Sequence, residues 1–419
     1  MGGVFVADVA RPAHPASPPA YPHPLTAVEK CSGVSSGVTT EEAIYATAQQ
    51  LKAIDPTLKV LFYFATDQQG ISCYGAHTEF LAHPEWHMKL DNGSFVDQHG
   101  PILDPTVPAA AKWWASIPLG GINGTGLYKG VKVTTLIDGV LADSGGYSNV
   151  GGATDVGTPG ISTKRKEVIA DAKRVMMGAL QQALTAANGG IVMANGVSMY
   201  GVPNADPRYV NDPTRHHNLI ALEKVNAIMA EHTAVFECIN AKNNSFNVET
   251  VAQDLQTIID AAHMDGGSKT VFVQTWPGMY TATGFTPRGT TPAHVYPAYP
   301  GCTDCEPTPQ SNDEWRAAIV RHFGFAHALF LSIAEPNMFW MYGGYWYSAN
   351  TGYIACPENL QSCASPPGWF PALKQPLGAP LGPRKLVAPY VWTREFEHAS
   401  VRLDLLTKNN SAVTFRAAQ

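Results

Sequence analysis

Apolar residues in this chain fall into two rhythms. Short runs of four to eight, closed by glycine or a polar residue, alternate with longer segments whose apolar positions recur every three or four residues. The first rhythm reads as buried strands of a parallel sheet, the second as amphipathic helices. It predicts strands over 3–9, 59–67, 102–104, 138–143, 191–196, 233–240 and 270–275, with a last one starting near Met338. Helices are predicted over 39–54, 107–116, 164–187, 214–232, 248–263 and 313–333. The first opens on the capping box Thr39-x-x-Glu42. The third carries Val168, Ile169, Ala172, Val175, Met176, Ala179, Leu180, Ala183 and Leu184 at helical spacing, and Asn188-Gly189-Gly190 stops it. The Pro/His-rich segment 10–38 reads as loop. Eight alternations of strand and helix argue for an α/β chain folded as a (β/α)8 TIM barrel, with a doubly wound sheet as the rival.

The rhythm changes towards the C-terminus. Short β-type segments separated by turn signals, such as Tyr390-Val391-Trp392 and Ser400-Val401-Arg402-Leu403, suggest a small antiparallel appendage. The expected division is a barrel over 1–350, a Pro/Cys-rich loop over 351–385 and a β-unit over 386–419 packed on the barrel.

Candidate chemistry sits where the strands stop, because the C-terminal strand ends of parallel α/β folds face the site. The run Thr135–Ser144 carries Asp138 near its start and Asp143 at its end, followed by Gly145-Gly146. A second run, Thr233-Ala234-Val235-Phe236-Glu237-Cys238-Ile239-Asn240, is interrupted by one acid. Two acids on neighbouring strand ends are what glycoside hydrolysis needs: one as general acid or base, the other as nucleophile or water activator. Asp143 and Glu237 are therefore the expected pair, and Asp138 is expected to be a structural acid deep in the barrel or at its closed end. Asp67, Asp104 and Asn195 also end strands and are expected to hold sugar hydroxyls, with Asp67 or Asp104 the alternative to Asp143 in the catalytic pair. Trp276 and Tyr342 are expected to stack on sugar faces, and Tyr63 is expected in the core.

Composition narrows the classes. Hydrophobic residues make up 45% and charged residues 15%, which suits a buried globular chain. The formal net charge is −6 with no basic block, which argues against a nucleic-acid partner. No apolar run approaches the length of a membrane span. Neither Gly-x-Gly-x-x-Gly after the first strand, nor a P-loop, nor His-Glu-x-x-His occurs, and no cofactor or metal is expected. Of seven cysteines, six fall in loop-like sequence, enough for three disulfides; Cys302-x-x-Cys305 with Cys356 and Cys363 is a rival zinc reading. Cys238 reads as a buried thiol. Sequons at Asn92, Asn123, Asn243 and Asn409 join the cysteines in favouring a secretory compartment. Residues 1–8 form no signal peptide, so the expectation is of a true start upstream.

Three stretches resemble the TIM-barrel glycoside hydrolases of the polygalactosaminidase-like and α-galactosidase-like group. They are Leu103-Asp104-Pro105-Thr106-Val107-Pro108 with Trp113-Trp114, then Asp138–Asp143, and then Pro376–Pro383 with Arg394-Glu395-Phe396-Glu397 and Val401-Arg402-Leu403-Asp404. The resemblance implies hydrolysis of an O-glycosidic bond in an oligo- or polysaccharide. It gives a fourth-strand acid, here Asp143, as nucleophile and a sixth-strand acid, here Glu237, as general acid and base. The rival functions are a carbohydrate-binding barrel without turnover and a lyase or isomerase on the same fold.

Overall fold

The computed structural model describes residues 4–7, 25–28, 37–66, 73–96, 100–120, 124–146, 160–197, 219, 223–234, 248–275, 280–281, 306–307, 312–342 and 370–416. Its centre is an eight-stranded sheet. The strands, in spatial and chain order, are β1 (Val4–Ala7), β2 (Leu25–Val28), β3 (Lys59–Tyr63), β4 (Gly139–Ala142), β5 (Ile191–Asn195), β6 (Ala227–Thr233), β7 (Thr270–Thr275) and β8 (Met338–Tyr342). β1 runs antiparallel to β2, and every later pair is parallel. Parallel neighbours need crossovers. Helices α1 (Thr40–Ile54), α2 (Pro108–Gly120), α3 (Thr163–Asn188), α4 (Val248–His263) and α5 (Asn312–Ile333) lie between successive strands of the sheet.

Alternation divides the strand side chains between two faces. Val60, Phe62, Val140, Val192, Ile228, Val271 and Trp340 join the large core with helical residues such as Leu180, Leu255 and Phe330. Leu25, Leu61, Leu141, Met193, Met229, Phe272 and Phe339 pack on one another on the opposite face. Side chains from β2 and β8 can share that cluster only because the sheet curls, and β1 comes into contact with β8. Of the expected (β/α)8 ring, the described residues show a curled half-barrel of seven parallel strands with an antiparallel strand at its edge.

Three local expectations are corrected. Residues 25–28, inside the segment read as loop, form a buried strand. Residues 102–104 do not enter the sheet. Leu103 bridges His87, and Asp104 N–H donates to the Trp86 carbonyl at 2.8 Å, so this stretch closes a local ribbon in the excursion between β3 and β4. Residues 227–232, read as the end of a helix, belong to strand β6 (Ala227–Thr233), because the slot between β5 and β7 supplies backbone partners on both sides. The predicted strand 233–240 overlaps β6 only at Thr233.

α3 spans nearly its predicted length and ends on left-handed Gly189. Its buried stripe is Ile169, Ala170, Lys173, Met176, Met177, Leu180, Gln181 and Leu184. Val168 and Val175 are exposed instead. Burying Leu180 and Leu184 contributes roughly 2 kcal/mol each.

At the C-terminus, β9 (Lys385–Ala388), β10 (Val391–Glu395), β11 (Ala399–Asp404) and β12 (Ala412–Phe415) form an antiparallel sheet, as the turn signals suggested. Phe396, Val401 and Leu403 belong to the same core as α5, and Arg394 pairs with Glu335 at 3.1 Å. No helix among the described residues is long and apolar enough to cross a membrane. Cys73 is the one cysteine among the described residues, and it is disulfide-bonded; Cys238 and the rest lie outside them.

Candidate active site

Register brings four polar side chains to one level of the concave face. Tyr63 pairs with Leu141, so Asp143 lies two residues beyond on the same face. Ala142 pairs with Ala194, which sets Asn195 beside Asp143. Asn195 pairs with Met229, so Glu231 follows two residues later on that face. Hydrogen bonds join all four. The Tyr63 hydroxyl donates to Asp143 Oδ2. Asn195 Nδ2 donates to Asp143 Oδ1 at 2.8 Å and to Glu231 Oε2 at 2.5 Å. The Ser144 N–H donates to Asp143 Oδ1 at 2.8 Å.

One amide nitrogen thus bridges two carboxylates. The bridged oxygens are no farther apart than the two bonds laid end to end, about 5 Å. The orientation of Asn195 follows from these bonds, since the flipped amide would turn an acceptor towards two acceptors. Asn195 is 3% exposed, while Asp143 and Glu231 are half-buried. Two buried oxygens, Asn195 Oδ1 and Gln274 Oε1, have no donor among the described residues. Gln274 follows Phe272 by two residues on β7 and so shares the concave face.

The backbone beneath Asp143 is constrained. Thr66 N–H donates to the Asp143 carbonyl at 2.9 Å, and Ser144 adopts a left-handed φ of 56°. Gly146 N–H donates to the Asn195 carbonyl at 3.1 Å. A Cβ on Gly146 would lie 2.7 Å from the Gly196 carbonyl oxygen, so the two strand ends approach as only glycines allow.

Of the expected site residues, Asp143 and Asn195 meet here. Asp104 does not. Its Oδ1 accepts from the Thr106 N–H at 3.0 Å and from the Thr106 hydroxyl, and its Oδ2 lies 3.7 Å from Arg165, so it holds a turn. Tyr342 is also corrected. Its hydroxyl donates to the Ile319 carbonyl at 2.7 Å and its ring meets Phe323 and Phe370, which puts it on the convex side against α5. Glu237, Asp67 and Trp276 lie outside the described residues.

Two members of the constellation escaped the sequence reading. Tyr63 was expected in the core, and it is buried, yet its hydroxyl holds Asp143. Glu231 was hidden inside a presumed helix. The signal was present, because Ala227-Ile228-Met229-Ala230-Glu231 is an apolar run ending in an acid, the same form as Gly139–Asp143.

Among the described residues, no three His, Cys, Asp or Glu side chains are grouped to hold a metal ion. No protein-family model and no curated protein matches the chain. Among solved structures it is similar to Kfla1895 mutants in complex with cyclobis-(1→6)-α-nigerosyl and with isomaltose. Both are 11% identical, with TM-scores of 0.32 and 0.31. The alignments cover 71% of this chain and 31% of those chains, so this chain spans under a third of their length. A likeness that distant says nothing of chemistry, which has to come from the site itself.

Proposed function

We propose that the chain is a glycoside hydrolase, with Asp143 as nucleophile and Glu231 as general acid and base. The observation that carries this reading is the single amide of Asn195 bridging one oxygen of each of two carboxylates, which holds those two oxygens within roughly 5 Å of each other. Retaining glycosidases place their two carboxyl groups about 5–5.5 Å apart, whereas inverting ones leave a wider gap for water. The reading therefore includes retention of anomeric configuration.

The two acids have different surroundings. Asp143 accepts from Tyr63, Asn195 and Ser144, three neutral donors that favour its charged form and fix its aim. Glu231 sits on a longer side chain beside that charge, which favours its proton-holding form before bond cleavage. In the first step an Asp143 oxygen attacks the anomeric carbon while Glu231 protonates the departing oxygen. In the second, Glu231 takes a proton from water, which attacks the anomeric carbon and frees Asp143.

The replacement of Glu237 by Glu231 keeps the strand positions that the resemblance implied, because β4 and β6 are again the fourth and sixth strands. The test is a hydrolysis screen over aryl glycosides and oligosaccharides with wild type, Asp143→Asn, Glu231→Gln and Glu237→Gln. Cleavage by wild type and Glu237→Gln, lost in the other two folded variants, supports the pair. Full activity in Glu231→Gln removes Glu231 from the mechanism.

A further inference from the structure

Lys173 is the one charged side chain in the α3 stripe that is fully buried, at 0% exposure. Burying an ammonium is costly unless its hydrogen bonds and charge are used. Its Nζ donates to the Ser144 carbonyl at 2.9 Å. The Thr66 hydroxyl donates to the same oxygen at 2.7 Å. Ser144 is the residue with left-handed backbone, and its own N–H is bonded to the Asp143 carboxylate. A non-glycine residue in that conformation persists where its surroundings over-determine it. Here two donors grip one side of the Ser144 residue while its other side grips the proposed nucleophile. Four residues further along α3, Met177 packs against Gly145, so the helix supports the whole turn.

We propose that Lys173 is a positioning residue for Asp143: through Ser144 it locks the strand-end turn that aims the carboxylate, and its buried positive charge steadies the charged form. The proposal rests on the reading of Asp143 as nucleophile. Ionisable groups bonded to Asp143, or to a residue bonded to it, include Tyr63 from β3, Glu231 from β6 through Asn195, and the cation Lys173 from α3 through Ser144. Removing Lys173 takes a buried positive charge away from the turn that bears the carboxylate.

The test does not need a substrate. In protein labelled with ¹³C at the aspartate carboxyl, the Asp143 resonance is identified by its loss in Asp143→Asn, and its titration midpoint is compared in wild type and Lys173→Met. The expected result is an upward shift of about one pH unit. Lys173→Gln keeps a donor without the charge and is read in the same way if the methionine variant does not fold. An unshifted midpoint in a folded variant overturns the proposal. With any glycoside that wild type cleaves, Lys173→Gln is expected to lower kcat by about 10- to 100-fold with KM within about twofold. A shifted midpoint in a protein that cleaves no glycoside would sink the hydrolase reading and leave the Lys173 assignment standing.

Discussion

Asp138 and Asp143 flank the same short strand, yet their surroundings are opposite. Asp138, before β4, accepts from Lys52 at 2.7 Å, from Lys59 at 3.2 Å and from the Val60 N–H at 2.9 Å. Asp143, after β4, is held by a tyrosine, an amide and a peptide N–H, and it shares that amide with a second carboxylate. Two lysines neutralise the first acid and tie α1 and β3 to β4. The hydrogen bonds from Tyr63, Asn195 and Ser144 fix the aim of the second. The sequence already set Asp138 apart as structural; the partners of the two acids fit that division, with Asp143 the reactive one under the proposed function.

The comparison can be broken at either end. At the mouth, Asp143→Asn or Glu231→Gln is expected to cost at least about 10³-fold in kcat with little change in melting temperature. At the closed end, Asp138→Asn is expected to keep kcat within a few-fold. Thermal or denaturant unfolding should show a loss of about 1–3 kcal/mol, since two partly buried lysines lose their partner. A catalytic loss at Asp138 without destabilisation would erase the distinction.

How much of this was legible depended on whether local and tertiary signals agreed. α1 with its capping box, and α4 and α5, lie where their spacing puts them. β4 and β5 were equally plain, because uninterrupted apolar runs closed by glycine have few other readings. β6 failed that test. Ala227–Ala230 is built of small and unbranched residues that also suit a helix, and only the open slot between β5 and β7 decides for a strand. The same ambiguity hid Glu231. Tyr63 lies in the core as read, and its second role was hidden for a different reason: a tyrosine can bury its ring in the core and still offer its hydroxyl to a site. Lys173 was invisible because a charged residue inside an apolar stripe reads as solvated, and the stripe was drawn slightly off: Ile169, Met176, Leu180 and Leu184 are buried as read, while Val168 and Val175 are exposed.

Smaller effects sharpen the picture. His327 stacks on Trp340 behind β8, and burial holds its imidazole down at about 4. Unfolded, it titrates near 6.5, so between those values the unfolded chain binds the extra proton. Stability is complete above about pH 6.5 and falls as the pH drops towards 4, by up to about 3 kcal/mol. His327→Leu is expected to flatten that acid slope in denaturant titrations. If the slope persists, the acid sensitivity has another origin. Gly146→Ala is expected to cost about 1–3 kcal/mol and to lower kcat along with it, because the added methyl pushes apart the ends that carry Asp143 and Asn195. Tyr342→Phe, on the convex side, is expected to lose about 1 kcal/mol at most and to leave kcat unchanged. A specific loss of substrate binding there would return Tyr342 to the mouth.

The most direct measurement is peptide mapping by mass spectrometry after Glu231→Gln protein is mixed with an activated aryl glycoside of the sugar that wild type cleaves. Without its acid and base, the variant still accepts a good leaving group but releases the sugar slowly. The account predicts a glycosyl adduct on the peptide containing Asp143, absent in Asp143→Asn. A sugar attached to any other carboxylate, or turnover by wild type with inversion of configuration, would contradict it.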